Sequence, residues 1–413
     1  MFKGGKFLQN YQIVGDAEKF DQSTCFSNSD LSCKGNKHSV ILIANIHIKM
    51  RGFSRWISRL LLLAISISVI SACTSYRFRQ LQGKDIEQFE MVKIGGIKQA
   101  IKIRGDRIDN PVMVYLHGGP GFPLFPFEPY QEPMFRLESQ FTMVYWEQRG
   151  TGKSFSRFIP RKSMNIEQFI EDTRQVVEYV RQATGAEKVF LWGHSWGSNI
   201  GALFAARYPE LLHAYISTGQ SVNPFENERL AYHFVYEQAK KENNRRALRQ
   251  LARIDTLETG YSLRDALTVR RWVYRYGGIV KQGNDRPYVD MVEIEQILTA
   301  PEYSISDRLN LIMFPHFSAR ELWEDLKRFD LRQKAPRIEV PVYILVGKYD
   351  VIVSASLAKE YFEMLDAPAG KTLILFENSA HRPFDEEREK FLRVMKQHIL
   401  PEIFEPDSVR KSP

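Results

Sequence analysis

The stretch Phe190-Leu-Trp-Gly-His-Ser-Trp-Gly-Ser198 constrains the fold of this chain more than any other. An apolar run from Val189 to Trp192 breaks into Gly193-His194-Ser195-Trp196-Gly197, and a helix-compatible segment follows. The pattern G-x-S-x-G between a strand and a helix implies a turn so tight that a side chain at either flanking glycine would collide with neighbouring backbone. Such a turn holds the Ser195 hydroxyl clear of the sheet. It also sits at a helix N-terminus, whose amides and dipole favour a developing negative charge. A glycine-rich turn with an idle serine fits the same pattern, so partners elsewhere in the chain must decide between the two.

Upstream, Phe89 to Ile94 and Lys98 to Ile103 alternate as opening antiparallel strands do. Val112 to Leu116 is continuously apolar, which predicts a strand buried on both faces of a mostly parallel sheet. It runs into His117-Gly118-Gly119-Pro120-Gly121, whose glycines permit a backbone path that turns amide groups inward. In hydrolases of this plan the oxyanion is held by the amide after the nucleophile, here Trp196, and by this loop, here Gly118 and Gly119. The strand Thr142 to Trp146 leads to Glu147-Gln-Arg-Gly-Thr-Gly-Lys-Ser154. Its Gly-Lys-Ser ending is no phosphate-binding loop, because Glu147 stands where that motif needs its first glycine. Ile166, Phe169, Ile170, Thr173, Val176, Val177 and Val180 then form one helical stripe, with Asn165 as N-cap and Gly185 at the end. Alternating strands and helices of this kind indicate an α/β domain.

Downstream, Leu211 to Thr218 reads as the next strand, after which the sheet pattern stops. Residues 222–330 are rich in aromatics and charges, with helix-like segments at Glu226 to Lys241 and Arg245 to Ile254, and read as a helical cap inserted over a pocket. The sheet resumes at Pro341 to Val346, which delivers Asp350, and at Lys371 to Phe376, which precedes His381. Ser195, Asp350 and His381 thus each lie just past a strand, in the order of a nucleophile, an acid and a base. Neutral His381 would take the proton from Ser195 and return it to the leaving group, while Asp350 fixes the imidazole tautomer. Phe384 to His398 closes the domain as an amphipathic helix.

The set His117-Gly-Gly-Pro-Gly121, Gln148-Arg149-Gly150-x-Gly152-x-Ser154 and Gly193-x-Ser195-Trp196-Gly197-Ser198 resembles the proline iminopeptidase group of α/β-hydrolases, across residues 88–400. That family usually has Asp where Glu147 stands and often Gly where His194 stands. The resemblance implies an α/β-hydrolase fold, a mostly parallel sheet flanked by helices with an inserted cap. It implies cleavage of an amide or ester through an acyl-enzyme, leaning to prolyl aminopeptidase action on short peptides, with no metal or organic cofactor. Cap glutamates bind the substrate's free amino terminus in that family; Glu226, Glu228 and Glu237 are the candidates by location. A carboxylesterase of small or lipidic esters is the alternative within hydrolase chemistry. A membrane-tethered binding protein on a hydrolase scaffold is the alternative outside it.

Residues 1–49 show no periodicity and are expected to be a mis-called or disordered extension, with translation starting at Met50. Arg51, Arg55 and Arg59 then precede an apolar core of about eleven residues, as in a secretory signal, short of the ~20 that span a bilayer. The core ends in Ile70-Ser-Ala-Cys73, which resembles the lipobox of bacterial lipoproteins, with Cys73 as the lipidated residue. The expected organisation is a signal peptide over 50–72, a tether over 73–87, a core over 88–221 and 331–400, a cap over 222–330 and a tail over 401–413. The expected location is the bacterial cell envelope, membrane-anchored on the periplasmic or extracellular side. No cysteine follows Cys73, so the core has neither a disulfide framework nor a Cys-based metal site. The net charge of +8 is scattered among acids, which argues against a nucleic-acid partner; the family resemblance implies a small molecule or short peptide as substrate.

Overall fold

The computed structural model describes residues 86–404, apart from 108, 128–131, 255–260 and 282–290. Cys73 and the leader expected over 50–72 lie outside the described residues.

A single sheet organises the chain, with strands β1 (Ile86–Ile94), β2 (Ile97–Gly105), β3 (Val112–Leu116), β4 (Thr142–Glu147), β5 (Val189–His194), β6 (Leu212–Thr218), β7 (Val342–Gly347) and β8 (Lys371–Phe376). Their order is β1-β2-β4-β3-β5-β6-β7-β8; β1 and β2 run antiparallel to their neighbours and the rest are parallel. The central strands are apolar on both faces, as a parallel sheet covered by helices requires. On one face Val112, Val114, Leu116, Val144 and Leu191 share a core with Val176, Val177 and Ile200; on the other Met113, Tyr115, Tyr145, Trp192 and Leu345 pack with Phe384 and Phe391.

The helices are α1 (Glu132–Leu137), α2 (Ile166–Thr184), α3 (Trp196–Arg207), α4 (Pro224–Lys241), α5 (Arg245–Leu251), α6 (Leu263–Arg275), α7 (Met291–Thr299), α8 (Ile305–Met313), α9 (Phe317–Lys327), α10 (Leu331–Lys334), α11 (Ala355–Met364), α12 (Pro383–Glu386), α13 (Arg388–Arg393) and α14 (Leu400–Phe404). Helix α2 forms where its apolar stripe and caps predict. The Asn165 side chain accepts from the Gln168 amide, and Gly185 ends it with φ 75°. Its buried valines and Phe169 each contribute roughly 1.5–3 kcal/mol by leaving water. Helices α4, α5 and α6 meet around a small core of their own, Ala231, Val235, Leu251, Val269 and Val273.

One predicted element differs. The helix expected over Phe384 to His398 is broken: α12 stops at Glu386, α13 follows, and Val394–Ile399 is wound as a π-helix. The break has a local cause. The Glu387 carboxylate turns back to accept from the Asn378 amide and the Ser379 hydroxyl, each at 2.8 Å, and its φ of −122° leaves the helical region. Helix α14 also runs to Phe404, so residues 401–404 are helical rather than tail. No helix among the described residues is long and apolar enough to cross a membrane.

Register brings the site together. Leu116 pairs with Gly193 and His194 with Thr218, so the loops after β3, β5 and β6 leave the sheet side by side. Gly347 pairs with Phe376, which places the segments carrying Asp350 and His381 at the same edge. This is the crevice at the carboxyl ends of the strands where open α/β sheets bind ligands.

Candidate active site

Strand β5 ends at His194, and Ser195 takes φ 55° and ψ −119° before α3 begins. A side chain in such a left-handed turn stores on the order of 1–3 kcal/mol, which its surroundings must hold. Both flanking glycines are required for steric reasons. A Cβ on Gly193 would lie 2.5 Å from the Gly197 oxygen, and one on Gly197 would lie 2.0 Å from the Leu116 oxygen. The turn is clamped by polar contacts: the Ser195 amide donates to the Thr218 oxygen at 3.1 Å, and the Ser198 hydroxyl donates to the Ser195 oxygen at 2.5 Å. That hydroxyl in turn accepts from the Ser221 amide at 2.9 Å.

The loop after β3 lies against the turn, since a Cβ on Gly118 would come 3.2 Å from the Ser195 Cβ. Gly119 adopts φ +124°, where any side chain would also strike the Gly121 and Phe122 amides. Buried His117 holds this loop. Its Nε2 accepts from the Gln148 amide at 3.0 Å, which puts the proton on Nδ1, 2.8 Å from the Gly118 oxygen. Burial pushes this imidazole down to about 4, so it stays neutral. The Gln148 side chain completes the link, donating to the His117 oxygen at 3.0 Å and accepting from the Trp196 indole at 2.9 Å. One glutamine thus ties the loop of Gly118 and Gly119 to the residue after Ser195. In the sequence Gln148 stands out only as a member of the motif that carries the family resemblance; its place just past β4, which pairs with β3, was the available signal for its role.

Asp350 and His381 are nearly buried, 6% and 7% exposed, and meet through Oδ2 and Nδ1 at 2.8 Å. The other Asp350 oxygen accepts from the amides of Ile352 at 3.0 Å and Val353 at 3.1 Å, which fixes the carboxylate plane. The His381 ring lies 4.8 Å from that of His194, and a Cβ on Gly219 would come 2.9 Å from its Cε1. Since Gly219 follows the residue that receives the Ser195 amide, His381 stands beside the turn. No hydrogen bond joins Ser195 to His381 among the described residues; catalytic contacts of this kind often tighten only when substrate binds. Buried His194 faces the Thr218 oxygen at 3.1 Å, and burial together with the neighbouring His381 keeps its imidazole neutral.

The loop of His381 has anchors that sequence reasoning missed. Glu386 accepts from the Ala380 amide at 2.8 Å and from the Lys281 amide at 2.7 Å. Burial raises its pKa above the ordinary carboxylate range, and the nearby Asp350 charge adds to the rise.

In front of Ser195 lies a cavity of about 50 Å³, lined among others by Gly119, Trp196, Asn199, Asn227, Glu228 and Arg270. Of the three candidate glutamates, Glu228 lines it and the other two do not. The Glu228 carboxylate accepts from Arg270 at 2.7 Å and from the Tyr261 hydroxyl at 2.9 Å. Glu226 instead pairs with Arg332 at 2.8 Å, and Glu237 is exposed on α4. The Gly-Lys-Ser turn is structural: the Ser154 hydroxyl donates to the Glu147 oxygen at 2.5 Å and accepts from the Ala100 amide at 2.8 Å. Among the described residues no three His, Cys, Asp or Glu side chains cluster as metal ligands would.

A family model described as the alpha/beta hydrolase fold matches residues 111–278. The probable aminopeptidase YbaC of Bacillus subtilis (strain 168) is 32% identical over 319 residues, covering 76% of this chain and 97% of that one. A proline iminopeptidase of Saccharolobus solfataricus is 26% identical over 342 residues, covering 79% and 96%. Among solved structures, a proline iminopeptidase-related protein from Thermus thermophilus superposes with a TM-score of 0.51 at 21% identity, covering 76% of this chain and 96% of that chain; it attests the fold.

Proposed function

The chain belongs to the α/β-hydrolase family, in its proline iminopeptidase-like group, and from that premise we propose that it removes an N-terminal residue, with proline preferred, from short peptides. Ser195 attacks the scissile carbonyl, His381 takes its proton and returns it to the departing amine, and Asp350 orients His381. The oxyanion is received by the Trp196 amide and the backbone of Gly118 and Gly119. Water, activated by His381, then frees the acyl group from Ser195.

The observation that carries this reading is the Asp350–His381 pair at 2.8 Å, held beside a serine in a left-handed turn that only its glycine neighbours permit. A serine-reactive phosphonate is expected to label the protein at Ser195 and to leave Ser195→Ala unlabelled. A panel of prolyl, other aminoacyl and acetyl-ester chromogenic substrates is expected to show turnover of the aminoacyl members, fastest for proline. Equal labelling of both proteins rejects the mechanism; ester turnover without any aminoacyl turnover rejects the peptidase reading.

The proposal includes location. The arginine-led apolar stretch ending at Cys73 supports export and lipid anchoring at the cell envelope. Intact mass of the membrane-extracted protein should begin at a lipidated Cys73, and a species retaining earlier residues overturns this.

A further inference from the structure

We propose that helix α8 and the turn beside it form a docking face for a lipid bilayer that carries anionic phospholipid. The inference rests on the envelope location proposed above and is independent of which bond Ser195 cleaves. Ile305, Leu309, Ile312 and Met313 follow one another at i, i+4, i+7 and i+8, so they share one face of α8. All four are 51–74% exposed. The other side of the helix is occupied: Leu311 packs against the core, and the Phe314 ring at its C-terminal end meets that of Phe155 at 5.3 Å. Single exposed apolar residues are ordinary, but four on one helix face form a patch of the kind that marks a protein or membrane contact.

Two observations select a bilayer. The first is charge. The turn after β4 lies along α8, joined to it by Lys153 and Asp307 at 3.2 Å. Its continuation carries Phe158, 78% exposed, with Arg157, Arg161 and Lys162 exposed around it. Asp307 and Glu321 are engaged by Lys153 and Arg161, so Arg157 and Lys162 leave this rim positive. An apolar face with a basic rim suits acyl chains beneath anionic headgroups. A second copy turned about a two-fold axis would instead bring like charges together.

The second observation is where the described chain begins. Ile86 opens β1, and Phe89, three residues on, pairs with Lys102 of β2. The Lys102 ammonium reaches the Glu302 carboxylate at 2.5 Å, three residues before Ile305. Ile86 therefore lies on the side of the sheet where α8 packs. The twelve residues between Cys73 and Ile86 span at most about 43 Å when extended, so a bilayer holding a lipidated Cys73 lies within reach of α8. The helix is also fixed to the core, because the Tyr303 hydroxyl just before it donates to Glu147 at 2.5 Å. Contact through α8 would thus orient the sheet and its site, not the helix alone.

The test reconstitutes the whole membrane-extracted protein into vesicles of phosphatidylglycerol and phosphatidylethanolamine, and compares wild type with Ile312→Trp and Met364→Trp. Met364 is 59% exposed at the end of α11, which packs on β7 and β8 at the opposite edge of the sheet. Both sites are exposed, so neither change disturbs packing. Part of the lipid is brominated on its acyl chains, which quenches tryptophan that enters the hydrocarbon. The fluorescence of the added tryptophan, taken against wild type, should fall about twofold or more for Ile312→Trp and stay nearly constant for Met364→Trp. Exchanging phosphatidylglycerol for phosphatidylcholine should weaken the Ile312→Trp quenching, and unchanged quenching overturns the anionic preference. Equal quenching at the two positions, or none, in protein that floats with the vesicles overturns the docking face and leaves the lipid anchor standing. Protein that fails to float with the vesicles overturns both. A dimer in detergent that Leu309→Lys dissociates would assign the face to a second copy and overturn the bilayer.

Discussion

Asp350 does more than lie near His381, and the difference can be measured. Its Oδ1 is claimed by the Ile352 and Val353 amides, so only Oδ2 faces the imidazole. In the Asp350→Asn variant the side-chain oxygen would keep those two donors and the NH2 group would turn to His381. Nδ1 must then accept, the proton moves to Nε2, and the ring can no longer take a proton from Ser195. Loss of kcat by about 10³–10⁴-fold is expected with stability little changed, by the tautomer argument known from other serine hydrolases. A loss under tenfold would show that the carboxylate does not set the tautomer. Gly197→Ala should act differently, because its Cβ would sit 2.0 Å from a main-chain oxygen that cannot swing aside. That variant should lose phosphonate labelling and fold stability together.

Helix α2 was legible in the sequence because everything that defines it is local: one apolar stripe, one cap residue and one terminal glycine. Asn165→Ala removes the side-chain acceptor at its first turn and should cost about 1 kcal/mol in denaturant unfolding, with kcat/KM unchanged. A neutral result would mean that packing of Phe169 and the valines alone sets the helix start. The strands were legible for the same reason, and so were Ser195, Asp350 and His381, each placed by the end of a strand. What the sequence concealed depended on contacts across the fold. The helix after His381 breaks because Glu387 reaches back to Asn378 and Ser379, an interaction that periodicity cannot show. Likewise nothing local distinguishes Glu228 from Glu226 or Glu237. Only the folding of α4 over the sheet turns Asn227 and Glu228 inward and leaves Glu237 in solvent. Gln148 also gains its role from register, through the pairing of β4 with β3.

At the scale of the molecule, one buried acid ties the parts around the site together. Glu147, at the end of β4, accepts from the amides of Leu124 and Phe125 at 2.9 and 3.2 Å, from that of Lys153 at 2.6 Å, and from the Tyr303 hydroxyl at 2.5 Å. It thereby joins the segment after the Gly118–Gly119 loop, the turn beside β4 and the segment between α7 and α8. Aspartate, usual at this position in the family it resembles, is one methylene shorter. Burial pushes the Glu147 carboxyl up to about 7 from an ordinary 4.5, against the pull of those four donors. The folded state therefore holds this proton more tightly than the unfolded chain. Its contribution to stability is fully present below about pH 4.5 and is lost as pH rises to about 7, a change on the order of 3 kcal/mol. Glu147→Gln cannot ionise, so it should lack this component, whatever its absolute stability. Denaturant unfolding of both proteins from pH 4.5 to pH 8 should show the wild type losing stability relative to the glutamine variant as pH rises. A gap that stays constant, or that widens in favour of the wild type, would mean that the four donors outweigh burial and that Glu147 is ionised in the folded protein throughout.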